Sequence, residues 1–244
     1  MTRVAIVAAL PGELKPLVRN WKHQTRNGVA LWVWPFDEGE WVAVCAGAGQ
    51  SAATRAFAEA ERLGPCTMAI SVGWAGALSK ECVPGQAYRV TGVVDARTGE
   101  RFHAATLQQE RWLVTSLHVA DEAEKLRLAS AYNASLVDME AAAVARMAAM
   151  RDIPFCSIKG VSDGLSDKLP DFNRFLSPDG KFRLAGFVLF ALLRPWYWPA
   201  LIRMGENSRK ASRKIAESLL DFLDERGHIR KRNGYPGFRH SESD

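Results

Sequence analysis

The chain has 244 residues, of which 48% are hydrophobic and 24% charged, enough for one globular α/β domain with a substantial core. Its four cysteines are scattered without disulfide or metal-binding spacing, which argues against a disulfide framework and predicts reduced core thiols. The net charge of +5 is uneven, because residues 181–244 hold 13 basic and 7 acidic residues whereas residues 1–180 hold 19 and 20. The basic character therefore lies in the C-terminal quarter.

Strand-like and helix-like segments alternate along the chain and predict an α/β fold with a central mixed sheet flanked by helices. Apolar or β-branched runs predict strands at 3–10, 29–36, 40–46, 67–72, 86–95, 111–116, 135–137 and 155–161. Helices are expected at 11–21, in a segment that ends near 63, at 120–131, from 138 to about 151 and at 207–226. A turn at 37–39 is expected to join the second and third strands as a hairpin.

Three acidic residues lie where open α/β sheets bind ligands, beside the carboxyl ends of strands. Glu13 falls in the first turn of a predicted helix that follows a strand, where an acid can also simply offset the helix dipole. Glu140 is close to the start of a helix that Asp138 can cap. Asp163 follows a buried strand, in a predicted loop. These acids are the candidate catalytic residues.

Two glycine-rich segments also follow predicted strands. They read AGAGQSAA at 46–53 and GWAGAL at 73–78, and glycines at such turns let backbone N–H groups approach a ligand. One such segment is a weak signal, but two in succession favour a shared pocket. His103 and His118 are isolated from any partner at ligand spacing, so no metal site is predicted.

The segment 181–204 reads KFRLAGFVLFALLRPWYWPALIRM and contains four basic residues and no acidic ones. Its apolar run at 184–193 is too short to span a bilayer as a helix. Two interpretations stay open: a helix and loop that pack on the body or on another subunit, or an interfacial hairpin that docks on lipid or receives an apolar substrate. The basic tail at 227–244 is expected to be mobile.

Taken in order, Glu13, AGAGQSAA, SVGWAGAL, VDMEAAAVA and VSDG resemble the nucleoside phosphorylase/nucleosidase superfamily, and the 5′-methylthioadenosine/S-adenosylhomocysteine nucleosidases in particular. The resemblance implies a three-layer phosphorylase-like fold in one domain, 1–226, with a C-terminal hydrophobic helical insert at 181–204. The short middle, RPWYWPAL and the basic final helix are similar to the hopanoid-associated branch, whose members are thought to remove adenine from adenosylhopane.

The resemblance also implies roles for residues. Asp163 would donate a proton to, or hydrogen-bond with, purine N7, and an Asp here implies a 6-amino purine. Glu140 would bind the ribose hydroxyls and stabilise the developing cation, and Glu13 would activate water. Further substrate-binding residues are implied: Met139 against the sugar, Ser162 in support of Asp163, Gly49, Gly73, Trp74 beside the sugar, and Val119 near the usual adenine-stacking position.

We therefore predict cleavage of the N-glycosidic bond of an adenosyl compound, by hydrolysis because Glu13 is present, with no cofactor. Phosphate is the co-substrate of the phosphorolytic alternative, and a general methylthioadenosine/adenosylhomocysteine nucleosidase is another. The expected partners are a small-molecule or lipid-linked adenosyl substrate, a membrane surface that meets 181–204, and further copies in a homo-oligomer, without nucleic acid. A non-catalytic lipid- or nucleic-acid-binding protein is the alternative outside enzymes. The expected location is the cytoplasm, with peripheral attachment to the inner face of the membrane as a further expectation.

Overall fold

The computed structural model describes residues 2–36, 39–105, 111–177 and 179–225. Their strands are β1 Thr2–Ala8, β2 Lys22–Arg26, β3 Val29–Phe36, β4 Gly39–Cys45, β5 Met68–Ala77, β6 Ala87–Arg89, β7 Gly92–Asp95, β8 Arg101–His103, β9 Trp112–Thr115, β10 Leu136–Asp138 and β11 Phe155–Asp163. Their helices are α1 Pro11–Leu14, α2 Gln50–Glu61, α3 Glu122–Tyr132, α4 Ala141–Ala149, α5 Leu184–Leu192 and α6 Trp198–Glu225, with 3₁₀ helices at Phe172–Phe175 and Pro195–Tyr197.

All eleven strands belong to one mixed sheet of order β2-β3-β4-β1-β5-β10-β9-β7-β8, in which β11 pairs with β5 and β6. The centre is parallel, since β1 aligns with β4 and β5, and β5 aligns with β11. Every residue of β11 is buried, as expected of a strand covered on both faces. The carboxyl ends of β1, β10 and β11 then open towards one cavity.

Helices cover both faces of the sheet. On one face, α2 and α4 pack closely through alanines, and Phe57 fills the space beside them. On the other face, Leu14 of α1 packs with Ile215, Leu219 and Phe222 of α6. The helix α3 covers β9 and β10 in a smaller third cluster. The predicted three-layer α/β phosphorylase-like fold, with a long C-terminal helix and an apolar aromatic cluster, is thus confirmed.

Two strands are longer than predicted. We expected GWAGAL and the residues from Ser162 onward to be loops, but β5 continues to Ala77 and β11 to Asp163. The two strands pair with each other over this extra length, with Asp163 opposite Gly76 after a register shift. Cross-strand pairing, which local sequence does not reveal, keeps these glycine-rich residues extended.

Other boundaries also differ from prediction. The helix expected at 11–21 is limited to the four residues of α1, and the strand expected at 86–95 splits into β6 and β7 because they pair with different strands, β11 and β9. The short polar β2 and β8 were not predicted. The final helix begins at Trp198 rather than 207, since Pro199 is tolerated in a first turn. Residues 37–38 of the expected turn and the tail 227–244 lie outside the described residues.

Candidate active site

A cavity of about 200 Å³ lies at the carboxyl ends of β1, β10 and β11. Polar and apolar side chains both line it, and the polar ones are buried with the exception of the exposed His118. The polar lining comprises Glu13, His118, Lys125, Asp138, Glu140, Ser162 and Asp163. The three candidate acids, far apart in sequence, therefore meet around one space.

Glu13 is held rigidly by backbone donors. Its Oε2 accepts the N–H groups of Ala9 and Leu10, both at 2.9 Å, and its Oε1 accepts the N–H of Trp74 at 2.8 Å. Burial raises the pKa of Glu13, although these N–H groups and the charge of Lys159 oppose the shift. Such a carboxylate is oriented and able to accept a proton from water.

Glu140 follows β10 and points into the cavity instead of capping α4. Its Oε1 accepts the backbone N–H of Gly49 at 2.7 Å, and only 8% of the residue is exposed. Burial first, and then the neighbouring Asp138 and Glu13, raise the pKa of Glu140 to about 8, against the opposing charge of Lys159. A pKa of about 8 keeps this carboxyl group mostly protonated at pH 7, and a positive charge beside it, such as that of a sugar cation, would favour its carboxylate form.

Asp138 and Lys159 form a fully buried ion pair behind these acids, with Nζ and Oδ2 2.8 Å apart. Asp138 also accepts the Thr115 hydroxyl at 2.7 Å and the Ala141 N–H at 2.9 Å, so the predicted cap of α4 is present. Although burial acts to lower it, Asp138 and Glu140 raise the pKa of Lys159. The sequence analysis did not predict Lys159 as a site residue. The available signal was the presence of a lysine within an otherwise apolar, buried strand.

Asp163 is held by two donors. The Ser162 hydroxyl donates to Oδ1, in line with the supporting role implied for Ser162. The Lys125 ammonium contacts Oδ2 and also donates to the Gly164 carbonyl at 2.6 Å. Lys125 is 2% exposed and was not predicted as a site residue. Its position three residues before the buried Leu128 of α3 was the available signal, because such residues share a helix face.

The other predicted residues divide into two groups. Met139, Trp74 and Val119 line the cavity, and the Trp74 indole donates to the Ser212 hydroxyl of α6 at 2.9 Å. Gly49 and Gly73 instead contact the acids from behind the lining. Gly73 has φ +144°, and a Cβ there would lie 2.9 Å from Oε1 of Glu13, so this close approach requires glycine.

Neither metal nor thiol chemistry has a clear place in the described residues. No group of three or more His, Cys, Asp or Glu side chains among them could hold a metal ion. The four cysteines are buried thiols outside any disulfide, and burial raises the pKa of Cys45 to about 12 and of Cys66 to about 11. Such thiols are poor nucleophiles.

The mouth of the cavity joins an apolar surface. We define the mouth by five apolar lining residues that are only half-buried: Leu169, Phe172, Leu176, Phe182 and Met204. Phe187 of α5 packs on Phe172 and Phe182, yet no residue of α5 is buried. The opposite side of this segment forms an outer apolar face, whose large residues are exposed by 60% or more: Leu184, Leu189, Leu192, Leu193, Trp196 and Ile202.

No single helix in the described part of the chain is long and apolar enough to cross a membrane. The segments Leu184–Leu192 and Pro195–Glu225 satisfy that test only as a pair, across a bend of 103°.

Comparisons with known proteins support the fold and the broad family resemblance. Residues 98–183, which include Glu140 and Asp163, match the Phosphorylase superfamily. The chain is similar in structure to Helicobacter pylori 5′-methylthioadenosine/S-adenosylhomocysteine nucleosidase, with a TM-score of 0.68 and 15% identity over 92% of this chain and 98% of that one. No curated protein matches the chain.

Two further solved structures share the fold. Helicobacter pylori futalosine hydrolase has a TM-score of 0.69 and 14% identity, over 92% of this chain and 98% of that one. Streptococcus pyogenes S-adenosylhomocysteine nucleosidase has a TM-score of 0.69 and 18% identity, over 92% and 97%. At such identities the likeness establishes the fold alone.

Proposed function

We propose that this chain is an enzyme that hydrolyses the N-glycosidic bond of an adenosyl nucleoside and releases adenine. The observation that supports this proposal is the meeting of Glu13, Glu140 and Asp163 around one cavity. Cleavage of this bond leaves a ribosyl centre with cationic character and a purine that must accept a proton. It therefore needs a donor near the base, negative charge near the sugar and a positioned nucleophile.

Each acid is assigned to one part of the substrate. Glu13, oriented by three backbone N–H groups, is placed to take a proton from water at the anomeric carbon. Glu140 is placed for the ribose hydroxyls and the developing cation, with Met139 beside it against the sugar. Asp163 is assigned to the purine edge.

The charge of the cavity favours water over phosphate as the attacking group. Among the described residues, its lining has four acidic side chains but a single lysine and a single histidine. Lys125 is held by the Asp163 carboxylate and the Gly164 carbonyl, which leave one of its N–H groups for a ligand, too few donors for a phosphate. A phosphate dianion needs donors and positive charge, whereas a neutral water needs an acceptor such as Glu13.

We further propose that the substrate carries an apolar group on the ribose, as in the lipid-linked adenosylhopane of the branch that the sequence resembles. The apolar mouth would accommodate such a group, and Phe182 of the mouth packs on α5, which carries part of the outer apolar face. A water-soluble nucleoside would not require these apolar surroundings.

The outer apolar face would then dock on an anionic bilayer from the cytoplasmic side. Basic residues surround it, since 181–204 contains Lys181, Arg183, Arg194 and Arg203 without an acid, and Trp196 and Trp198 suit the headgroup region. The second half of α6 is packed on β11 through Ala211 and Ile215, so the bent helix pair would lie along the membrane instead of crossing it.

The test is adenine release from methylthioadenosine, adenosylhomocysteine, inosine and a lipid-linked adenosine, with and without phosphate. We expect free ribosyl product without phosphate, and the highest kcat/KM for the lipid-linked substrate. A strict phosphate requirement with a ribose-1-phosphate product would refute hydrolysis. Preference for the soluble nucleosides would refute the lipid-linked substrate.

Docking is tested separately by vesicle flotation with phosphatidylglycerol and with phosphatidylcholine. We expect binding to the anionic vesicles only, and its loss in Leu189→Glu and Trp196→Glu, with Glu206→Gln as the surface control. Self-association that these substitutions abolish, without vesicle binding, would instead assign the face to a second copy of the chain.

A further inference from the structure

Lys125 contacts the residue assigned to the purine edge, and the proposed function has so far given it no role. It projects from the inner side of α3, is almost fully buried, and lines the cavity beside Asp163. A Cβ added at Gly76 would lie 3.1 Å from Cε of Lys125 and 3.2 Å from Oδ2 of Asp163, so the pair is packed tightly over β5.

The hydrogen bonds of the pair determine which member can donate. Asp163 accepts from the Ser162 hydroxyl at one oxygen and from the Lys125 ammonium at the other. In this arrangement the carboxylate is an acceptor at both oxygens. The ammonium has three donors, of which Asp163 and the Gly164 carbonyl take two. Within the described residues, one N–H of Lys125 is left for a ligand in the cavity.

We propose that Lys125, rather than Asp163, donates the proton that the leaving purine accepts at N7. This inference rests on the proposed function. The C1′–N9 bond breaks and its electron pair moves into the purine while the proton passes from the Lys125 nitrogen to N7. Water adds to C1′ and gives its proton to Glu13. Lys125 regains a proton from solvent and Glu13 releases one, so the sum is nucleoside plus water to ribosyl product plus adenine.

The pair also accounts for a 6-amino purine. Adenine presents an acceptor at N7 and a donor at its amino group, which match the Lys125 N–H and an Asp163 carboxylate oxygen. A 6-oxo purine presents acceptors at both positions and would place its O6 against the carboxylate, an unpaired and repulsive contact. Lys125 is thus the catalytic proton donor. Asp163 positions Lys125 and accepts a hydrogen bond from the amino group of adenine.

The test compares two leaving groups on one sugar, 5′-hexylthioadenosine and 4-nitrophenyl 5-hexylthioribofuranoside, because nitrophenolate leaves without a proton. Lys125→Met should lower kcat on the adenosyl substrate by about 10²–10⁴-fold and change that on the nitrophenyl substrate by less than about tenfold. Lys125→Arg keeps the charge and the contact with Asp163 but holds its proton, so it should show the same selective loss. Lys80→Met, at an exposed lysine, is the matched control.

Each other outcome has a definite meaning. Equal losses on both substrates in a folded Lys125→Arg variant would make Lys125 a structural partner of Asp163 and overturn the assignment. Full activity of Lys125→Met on the adenosyl substrate would overturn it too. If the unaltered chain cleaves neither compound and none of the nucleoside panel, the proposed function itself is refuted, and this inference with it.

Discussion

Replacing Glu140 with glutamine should stabilise the fold while slowing the reaction. Burial and the nearby Asp138 and Glu13 raise the pKa of Glu140 to about 8, from 4.5 in an exposed chain. The folded state therefore binds this proton more tightly than the unfolded state does, so the stabilising contribution is complete below pH 4.5 and is lost as the pH rises to about 8. At pH 7, 2.5 pH units above the unfolded value, the loss is up to about 3 kcal/mol.

Glu140→Gln removes this titration and keeps an oxygen for the Gly49 N–H. We expect its free energy of unfolding in urea to exceed that of the unaltered chain by up to about 3 kcal/mol at pH 7, a rise in Tm of about 6–12 °C. Between pH 5 and 8 the slope of that free energy should flatten by up to about 1.4 kcal/mol per pH unit. The exposed Glu206→Gln is the control.

The same variant should lose at least about 10²-fold in kcat, because an amide, unlike the carboxyl group of Glu140, cannot become a carboxylate as the ribosyl cation develops. A gain in stability with a loss of activity is the expected mark of a residue retained for function. A Glu140→Gln protein that is less stable at pH 7, or that keeps the full pH slope, would refute the burial argument.

Three further substitutions test the parts that hold the site. Glu13→Gln should lower hydrolysis by about 10²–10⁴-fold in a folded protein, as measured by adenine release, because an amide cannot accept the proton of water. Gly73→Ala should reduce activity and stability together, by about 1–3 kcal/mol in urea, because the added methyl would press on the Glu13 carboxylate. Lys159→Met should lower the free energy of unfolding by about 3–5 kcal/mol, because it leaves the charge of Asp138 buried without its partner. Wild-type stability in that last variant would refute the ion pair as a support of the site.

Much of the site could be predicted because its acids follow local patterns. Glu13 comes after a strand and a proline, Glu140 follows a strand and a capping aspartate, and Asp163 ends an apolar strand. Strand and helix periodicity depend on neighbouring residues, so one chain is enough to identify them. Their placement at strand ends in an α/β sheet predicts that they meet.

The positions of Lys125 and Lys159 in the site depend on contacts between distant segments, so the sequence did not predict them. Lys125 reaches Asp163 across 38 residues of sequence, and Lys159 lies at Asp138 only because β11 and β10 flank β5 in the sheet. In sequence, the spacing of Lys125 to Leu128 indicates a shared helix face, but it does not indicate that Lys125 meets Asp163.

The sequence by itself thus determined the layers of the fold, the three acids and the apolar, basic character of 181–204. The tertiary structure alone decided that Lys125 and Lys159 accompany those acids, that Gly73 makes room for Glu13, and that the outer apolar face adjoins the mouth of the cavity. The physical reason is that hydrophobic periodicity is local, whereas the pairing of charges and the register of strands depend on which distant segments the core brings together.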